Sequence, residues 1–255
     1  MRLSVFTTIG MMIAMCGGCA AYVAPGRGAD LSAVGASPEQ RRAQTDGTIA
    51  ESFKKRPLAK IPTAIAVVRV QAAGYQSRTA SGWGGGQYCV VTTRDIEKPG
   101  QIERLAKLPG VLGVAPLNRM LLSGHFDSDL PLREGAAKLQ ADMLLVYTLD
   151  TAFVTEDKAR PLSVISLGLS PNKQVRLTTT ASAVLLDTRN GYIYGVAEAT
   201  EHKDRLTNSW QDDVAVDETR RATESAAFEK LVGELETTWK GVAATYAKGP
   251  VTVNP

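Results

Sequence analysis

The stretch Thr63-Ala64-Ile65-Ala66-Val67-Val68-Arg69-Val70 constrains this chain more than any other. It is a nearly continuous apolar, β-branched run, the pattern of a strand buried on both faces. Such a strand needs a layer above it and a layer below it. A second buried strand is predicted between Asp142 and Thr151, around Met-Leu-Leu-Val-Tyr-Thr-Leu. Helices supply the layers. Pro99 to Leu108 carries Ile102, Leu105, Ala106 and Leu108 on one side, and Pro109-Gly110 stops it. A helix after Asp129 places Leu132, Ala136 and Leu139 on one face, with Asp129 as its cap. A long helix is predicted from Asp217 to about Tyr246. There Phe228, Leu231, Val232, Leu235, Trp239, Val242 and Tyr246 recur at spacings of three and four. Asp217 and Glu218 read as acidic residues matching the dipole at its start.

Tyr88 to Thr93 and Val111 to Leu117 add two strands. Leu162 to Leu169 and Gln174 to Leu186 are predicted to pair through a hairpin at Ser170-Pro171-Asn172-Lys173. Asn190-Gly191 predicts a tight turn into Tyr192 to Ala197. The fold class expected is α/β (α+β): a single mixed sheet with flanking helices and a long C-terminal helix.

The first nineteen residues concern address rather than fold. Arg2 is followed by an uncharged apolar run from Leu3 to Met15 and then Cys16-Gly17-Gly18-Cys19. That is the layout of a secretory signal, and Gly-Gly-Cys resembles the lipobox of bacterial lipoproteins. The resemblance implies cleavage before Cys19 and acyl chains on it, without a spanning helix. Cys16 is the poorer acceptor because Met15 precedes it. Two other readings stay open: an ordinary cleaved signal with Cys19 incidental, and a retained anchor. The apolar run is shorter than the roughly 20 residues that a span needs. The chain then divides into a signal (1–18), a lipid-anchored flexible tether (19–60), a globular α/β domain (61–247) and a short tail (248–255). The expected location is the periplasmic face of a bacterial envelope membrane, the outer one by preference.

The second half carries a family resemblance. Ala136-Ala137-Lys138-Leu139-Gln140-Ala141-Asp142-Met143-Leu144-Leu145-Val146 runs from a helix through a small-Ala-Asp corner into an apolar strand. Ala183 to Tyr194 reads strand, Asp, turn, Gly, strand. Both features, and the closing long helix, resemble the domain shared by the curli-secretion lipoprotein CsgG, the lipoprotein activators of penicillin-binding proteins and the TolB amino-terminal domain. The resemblance implies a non-catalytic binding role in the envelope. It does not extend to pore formation, because the chain lacks a pair of long alternating hairpins.

Charge and cysteine usage exclude some classes. The net charge is +3 over 255 residues, and no stretch gathers Lys and Arg on one face, so nucleic acid is not an expected partner. Cys89, in the apolar run Gln87-Tyr88-Cys89-Val90-Val91, reads as a buried, inert thiol. His125, Asp127 and Asp129 alternate along Gly124 to Asp129 and could be a metal or catalytic cluster, or an exposed loop whose Asp129 only caps a helix. His202 lies among charges and reads as solvated. Ser81-Gly82-Trp83-Gly84-Gly85-Gly86 lacks the lysine of a phosphate loop, and no helix follows it directly. Trp83 and Trp210 lie in loops off any core stripe and are candidate partner-binding residues, whereas Trp239 falls on the helix stripe as core. No metal or cofactor is expected. Two functions remain open: a lipid-anchored module that binds an envelope protein, and a hydrolase with a site near His125 and Asp127.

Overall fold

The computed structural model describes residues 25–33, 45–157, 173–207 and 212–247. Cys16, Cys19, Trp210 and the predicted strand at 162–169 lie outside them.

The two apolar runs form β1 (Thr63–Ala72) and β6 (Met143–Asp157). They lie parallel, with Ile65 opposite Met143 and Val68 opposite Val146. Between them in sequence come β2 (Gly85–Gly86), β3 (Tyr88–Val91), α2 (Pro99–Ala106), β4 (Val111–Pro116), β5 (His125–Phe126) and α3 (Leu130–Lys138). A short exposed helix, α1 (Asp46–Lys54), precedes them. β7 (Lys173–Asp187), β8 (Ile193–Thr207) and α4 (Asp212–Tyr246) complete the chain.

The sheet runs β3-β1-β6-β7-β8. β4 pairs in parallel with the first half of β1, and β3 pairs antiparallel with its second half, so both share one edge of that strand. β7 pairs with β6 on one side and β8 on the other, along nearly its whole length. That corrects the predicted pairing of 174–186 with 162–169, because both edges of β7 are already taken. The turn at Asn190-Gly191 is as expected, with Gly191 at φ +67° in the left-handed region.

Two apolar cores sandwich the sheet. On one face Ile65, Val67, Leu145, Leu149 and Leu185 pack under Phe228, Leu231, Val232, Leu235, Trp239 and Val242 of α4. On the other, Ala66, Val68, Leu144, Val146 and Leu186 meet Leu132 and Ala136 of α3 together with Phe126. The fold is thus mixed α+β, with a six-stranded sheet and a long C-terminal helix.

Beyond Val68 and Val146, β1 and β6 no longer pair, and two groups fill the gap. The Gln71 carboxamide donates to Leu149 O at 3.1 Å and accepts from Leu149 N at 3.0 Å and Thr148 Oγ1 at 2.8 Å. The other filler is a strap from the N-terminal segment. Gly28 bridges Gln71 antiparallel, and Gly26 O accepts from Thr151 N. Gly28 N donates to Asp150 Oδ1 at 3.1 Å and Ala29 N to Thr148 Oγ1 at 2.7 Å. The fit requires glycine: a Cβ on Gly26 would stand 2.3 Å from Thr151 O, and one on Gly28 2.9 Å from Thr148 Oγ1.

Candidate functional site

The two sequence candidates of different class, the Trp83 loop and the His125 loop, form one surface. β2 and β5 pair in parallel, Gly85 against His125 and Gly86 against Phe126. Gly85 N donates to Gly124 O at 3.0 Å and Gln87 N to Phe126 O at 2.9 Å. The other side of the loop is fixed to β3: Trp83 N donates to Val90 O at 2.8 Å, and Val90 N to Trp83 O at 3.0 Å.

Aromatic rings fill the space between these backbones. Phe126 is fully buried and stacks on Tyr88, centroids 5.3 Å apart. Trp83 meets the same ring edge-on at 5.8 Å and is only half-buried. The Tyr88 hydroxyl donates to Ser128 O at 2.6 Å, fixing the end of the β5 loop. Gly84, at φ +80°, lets the chain turn against Phe126, since a Cβ there would lie 2.3 Å from the ring. The result is a ledge with a tryptophan on a rigid base. Met120, 89% exposed, stands on the connection from β4 to β5.

His125 Nε2 lies 2.7 Å from Asp127 Oδ2, with the two side chains 73% and 45% exposed. Asp129 does not join them. It is buried, and its Oδ2 accepts from Arg133 Nε at 2.8 Å. Arg133 in turn donates to Arg189 O at 3.2 Å in the β7–β8 turn. Asp129 occupies the N-cap position of α3 without a side-chain cap bond, because that carboxylate is committed to Arg133. The His-Asp-Asp alternation is therefore a surface pair plus a structural ion pair. Among the described residues, no group of three His, Cys, Asp or Glu could hold a metal ion.

His202 is exposed on β8, its Nδ1 3.0 Å from Thr178 Oγ1. Cys89 is buried, its Sγ 3.1 Å from Ala72 O, and burial pushes the thiol pKa up. Trp239 is core as expected, its indole N–H donating to Pro109 O at 2.9 Å.

A second polar centre, unforeseen in the sequence, lies inside the domain. Arg69 of β1 reaches Asp95 at 3.0 Å, Glu97 at 3.6 Å and the Tyr75 hydroxyl at 3.1 Å. Arg220 of α4 pairs with Asp217 at 3.0 Å and Glu224 at 2.5 Å. Glu224 also accepts from Thr151 at 3.0 Å and lies 3.9 Å from Arg69. Tyr147 donates to Glu97 at 2.7 Å. Burial pushes the Glu224 carboxyl above its usual range, against the pull of Arg220 and Arg69. Burial, then Glu97, holds the Tyr147 hydroxyl well above the ordinary tyrosine value. Asp217 is thus not a helix-start charge but a buried partner of Arg220. One sequence signal was available: a lone arginine in a strand buried on both faces must bring partners with it. With its charges turned on one another, this centre ties α4 to the sheet.

No described helix is long and apolar enough to cross a membrane. No family model matches the chain, and no curated protein matches it. Solved structures similar to it include a Xanthomonas campestris protein of the DUF330 family model, at 11% identity and TM-score 0.36, covering 75% of this chain and 92% of that one. Another is a candidate lipoprotein from Caulobacter crescentus, at 14% identity and TM-score 0.25, covering 43% and 70%. A third is the PelC dodecamer from Paraburkholderia phytofirmans, at 14% identity and TM-score 0.23, covering 70% and 93%.

Proposed function

We propose that this chain is an envelope lipoprotein, acylated at Cys19, whose α/β domain binds another envelope protein through the Trp83 ledge. The observation that carries the reading is Trp83 itself. It is partly buried against the core beneath it, its backbone is bonded on both sides to Val90, and its ring rests on buried Phe126. A large amphipathic ring already held in place loses little entropy on binding, which is why tryptophan is enriched among interface hot spots. Met120 and the His125–Asp127 pair supply an apolar and a polar contact nearby in the same loop system. Trp210 belongs to the proposal on sequence grounds alone. The outer membrane and its periplasmic face are part of the proposal, as is the general role implied by the resemblance to the penicillin-binding-protein activators.

No catalysis is assigned to His125. A general base needs a group that orients it and a pocket that tunes it. Asp127 supplies the first, but both side chains stand in open solvent.

The test is complementation of a deletion strain with protein levels matched by blot, combined with crosslinking in intact envelopes. Trp83→Ala is expected to abolish the phenotype and the crosslink, and His125→Ala to retain both. For a hot spot the loss is at least about 2 kcal/mol, or roughly 30-fold in affinity. Trp83→Phe keeps a ring against Phe126 and separates lost binding from lost folding. Loss of function in His125→Ala alone, at normal protein level, would favour the hydrolase reading instead.

A further inference from the structure

The strap fixes how the domain stands on a membrane. Its contacts run in one order: Gly26 meets Thr151, Gly28 meets Asp150, and Ala29 meets Thr148. The strap is therefore antiparallel to β6, as it is to β1 at Gln71. Followed towards the N-terminus, it leaves the sheet in the direction in which β6 continues, towards Ala152 and Val154. The polar fit and the two glycine positions with no room for a Cβ seat it against the sheet through one β-bridge and three further hydrogen bonds.

Resting on acylation at Cys19, we infer that the lipid bilayer is the partner of one particular end of this domain: the end where β6 ends. From Cys19 to Gly26 is seven residue steps. Whatever conformation they take, they span no more than about 25 Å, at up to 3.6 Å each. The opposite end, marked by Lys60 just before β1, stands away from the bilayer. The strap leaves the sheet beside Thr151, and Met143 is eight residues from Thr151 on β6, a rise of about 26 Å at 3.3 Å per residue. Lys60 lies further still, five residues before Ile65, the partner of Met143. The leash at full stretch only comes level with Met143, so the domain cannot bring its Lys60 end to the membrane without pulling the strap out of the sheet. Exposed Val154 and Arg27 stand at the near end, an apolar and a cationic group of the kind that suits an interface of acyl chains and anionic headgroups.

The test uses the full chain, acylated in cells and reconstituted in vesicles containing phosphatidylglycerol and a headgroup-labelled nitroxide lipid. A fluorophore is placed at Val154→Cys or at Lys60→Cys, both exposed positions, with Cys89 buried and Cys19 acylated. Quenching at position 154 is expected to exceed that at position 60 at least twofold. A flexible Gly/Ser insertion of twelve residues after position 24 leaves the strap intact but lengthens the leash, and should bring the two signals together. Equal or reversed quenching on a chain proven to carry acyl label at Cys19 overturns the orientation alone. Absence of acyl label at Cys19 overturns the anchoring reading, and the orientation with it.

Discussion

The two halves of α4 lie on the same sheet and are equally dry, yet different chemistry holds them. From Ala227 to Val242 the helix presents an uninterrupted apolar stripe to Ile65, Leu145 and Leu185. From Asp217 to Glu224 it presents two carboxylates and an arginine, each nearly inaccessible, to Arg69, Tyr75 and Thr151. The apolar half is stabilised by area removed from water, at roughly 25 cal/mol per Å², and is indifferent to which apolar neighbour it meets. The charged half gains little net energy, because desolvating its ions offsets most of their attraction. It gains register instead. Asp217 and Glu224 travel with Arg220 on the helix, but Glu224 meets Thr151 and Arg69, and Arg220 meets Tyr75, in one position only, so the helix cannot slide along the sheet by a turn and keep these partners.

The comparison predicts an asymmetry between the halves. The largest effect belongs to Arg220→Met, which leaves two buried carboxylates facing one another. Breaking a buried ion pair from one side costs about 3–5 kcal/mol, and urea unfolding of the variant should show a loss of that size. A loss under about 1 kcal/mol would mean that the charges are solvated in solution and the two halves do not differ.

Leu231→Ala tests the other half. Leu231 is fully buried in the core beneath α4. Truncation removes transfer energy and leaves a cavity, for about 2–5 kcal/mol. The distinguishing measurement is pH dependence. The loss at Leu231 should be constant between pH 4 and 8, since the side chain belongs to the buried apolar cluster. A loss that varied with pH would show that the apolar half is coupled to the ions.

The two halves were also unequally legible. A stripe at spacings of three and four is a local signal, so Phe228, Leu231, Leu235 and Trp239 could be placed in the core from the sequence. The charged half looks the same in sequence as a solvated face. Asp217, Arg220 and Glu224 have the i, i+3 and i+4 spacing of ordinary surface pairs. What buries them is Arg69, Tyr75 and Thr151, between 66 and 155 residues away, and no periodicity reports such a meeting. The same blindness hid the strap, since Pro25, Gly26 and Gly28 have linker composition. Their glycines serve a close approach to β6 that only the paired strands reveal. The site was half legible. Trp83 and His125 could each be singled out, but the pairing of β2 with β5, which brings their loops together, rests on two residues a side.

Glu224→Gln should have the smallest effect and the most specific signature. Gln keeps the shape and removes the charge: its oxygen can still accept from Arg220, while its amide nitrogen takes the place of the oxygen facing Thr151 and donates to that hydroxyl instead. In the native chain, burial raises the carboxyl pKa despite Arg220 and Arg69. Above the ordinary glutamate value of about 4.3, the unfolded chain releases this proton while the folded chain still holds it. The folded state then binds more protons than the unfolded one, so the contribution of this group to stability is fully present below that value. It is lost as pH rises through the higher folded value. Subtracting the variant's unfolding free energy from the native chain's cancels the other titrating groups. That difference should therefore fall as pH is taken from 4 towards 8. A difference that rises instead would mean that Arg220 and Arg69 outweigh burial and hold Glu224 ionised. The charged half of α4 would then contribute attraction as well as register, and the contrast with the apolar half would narrow to one of geometry.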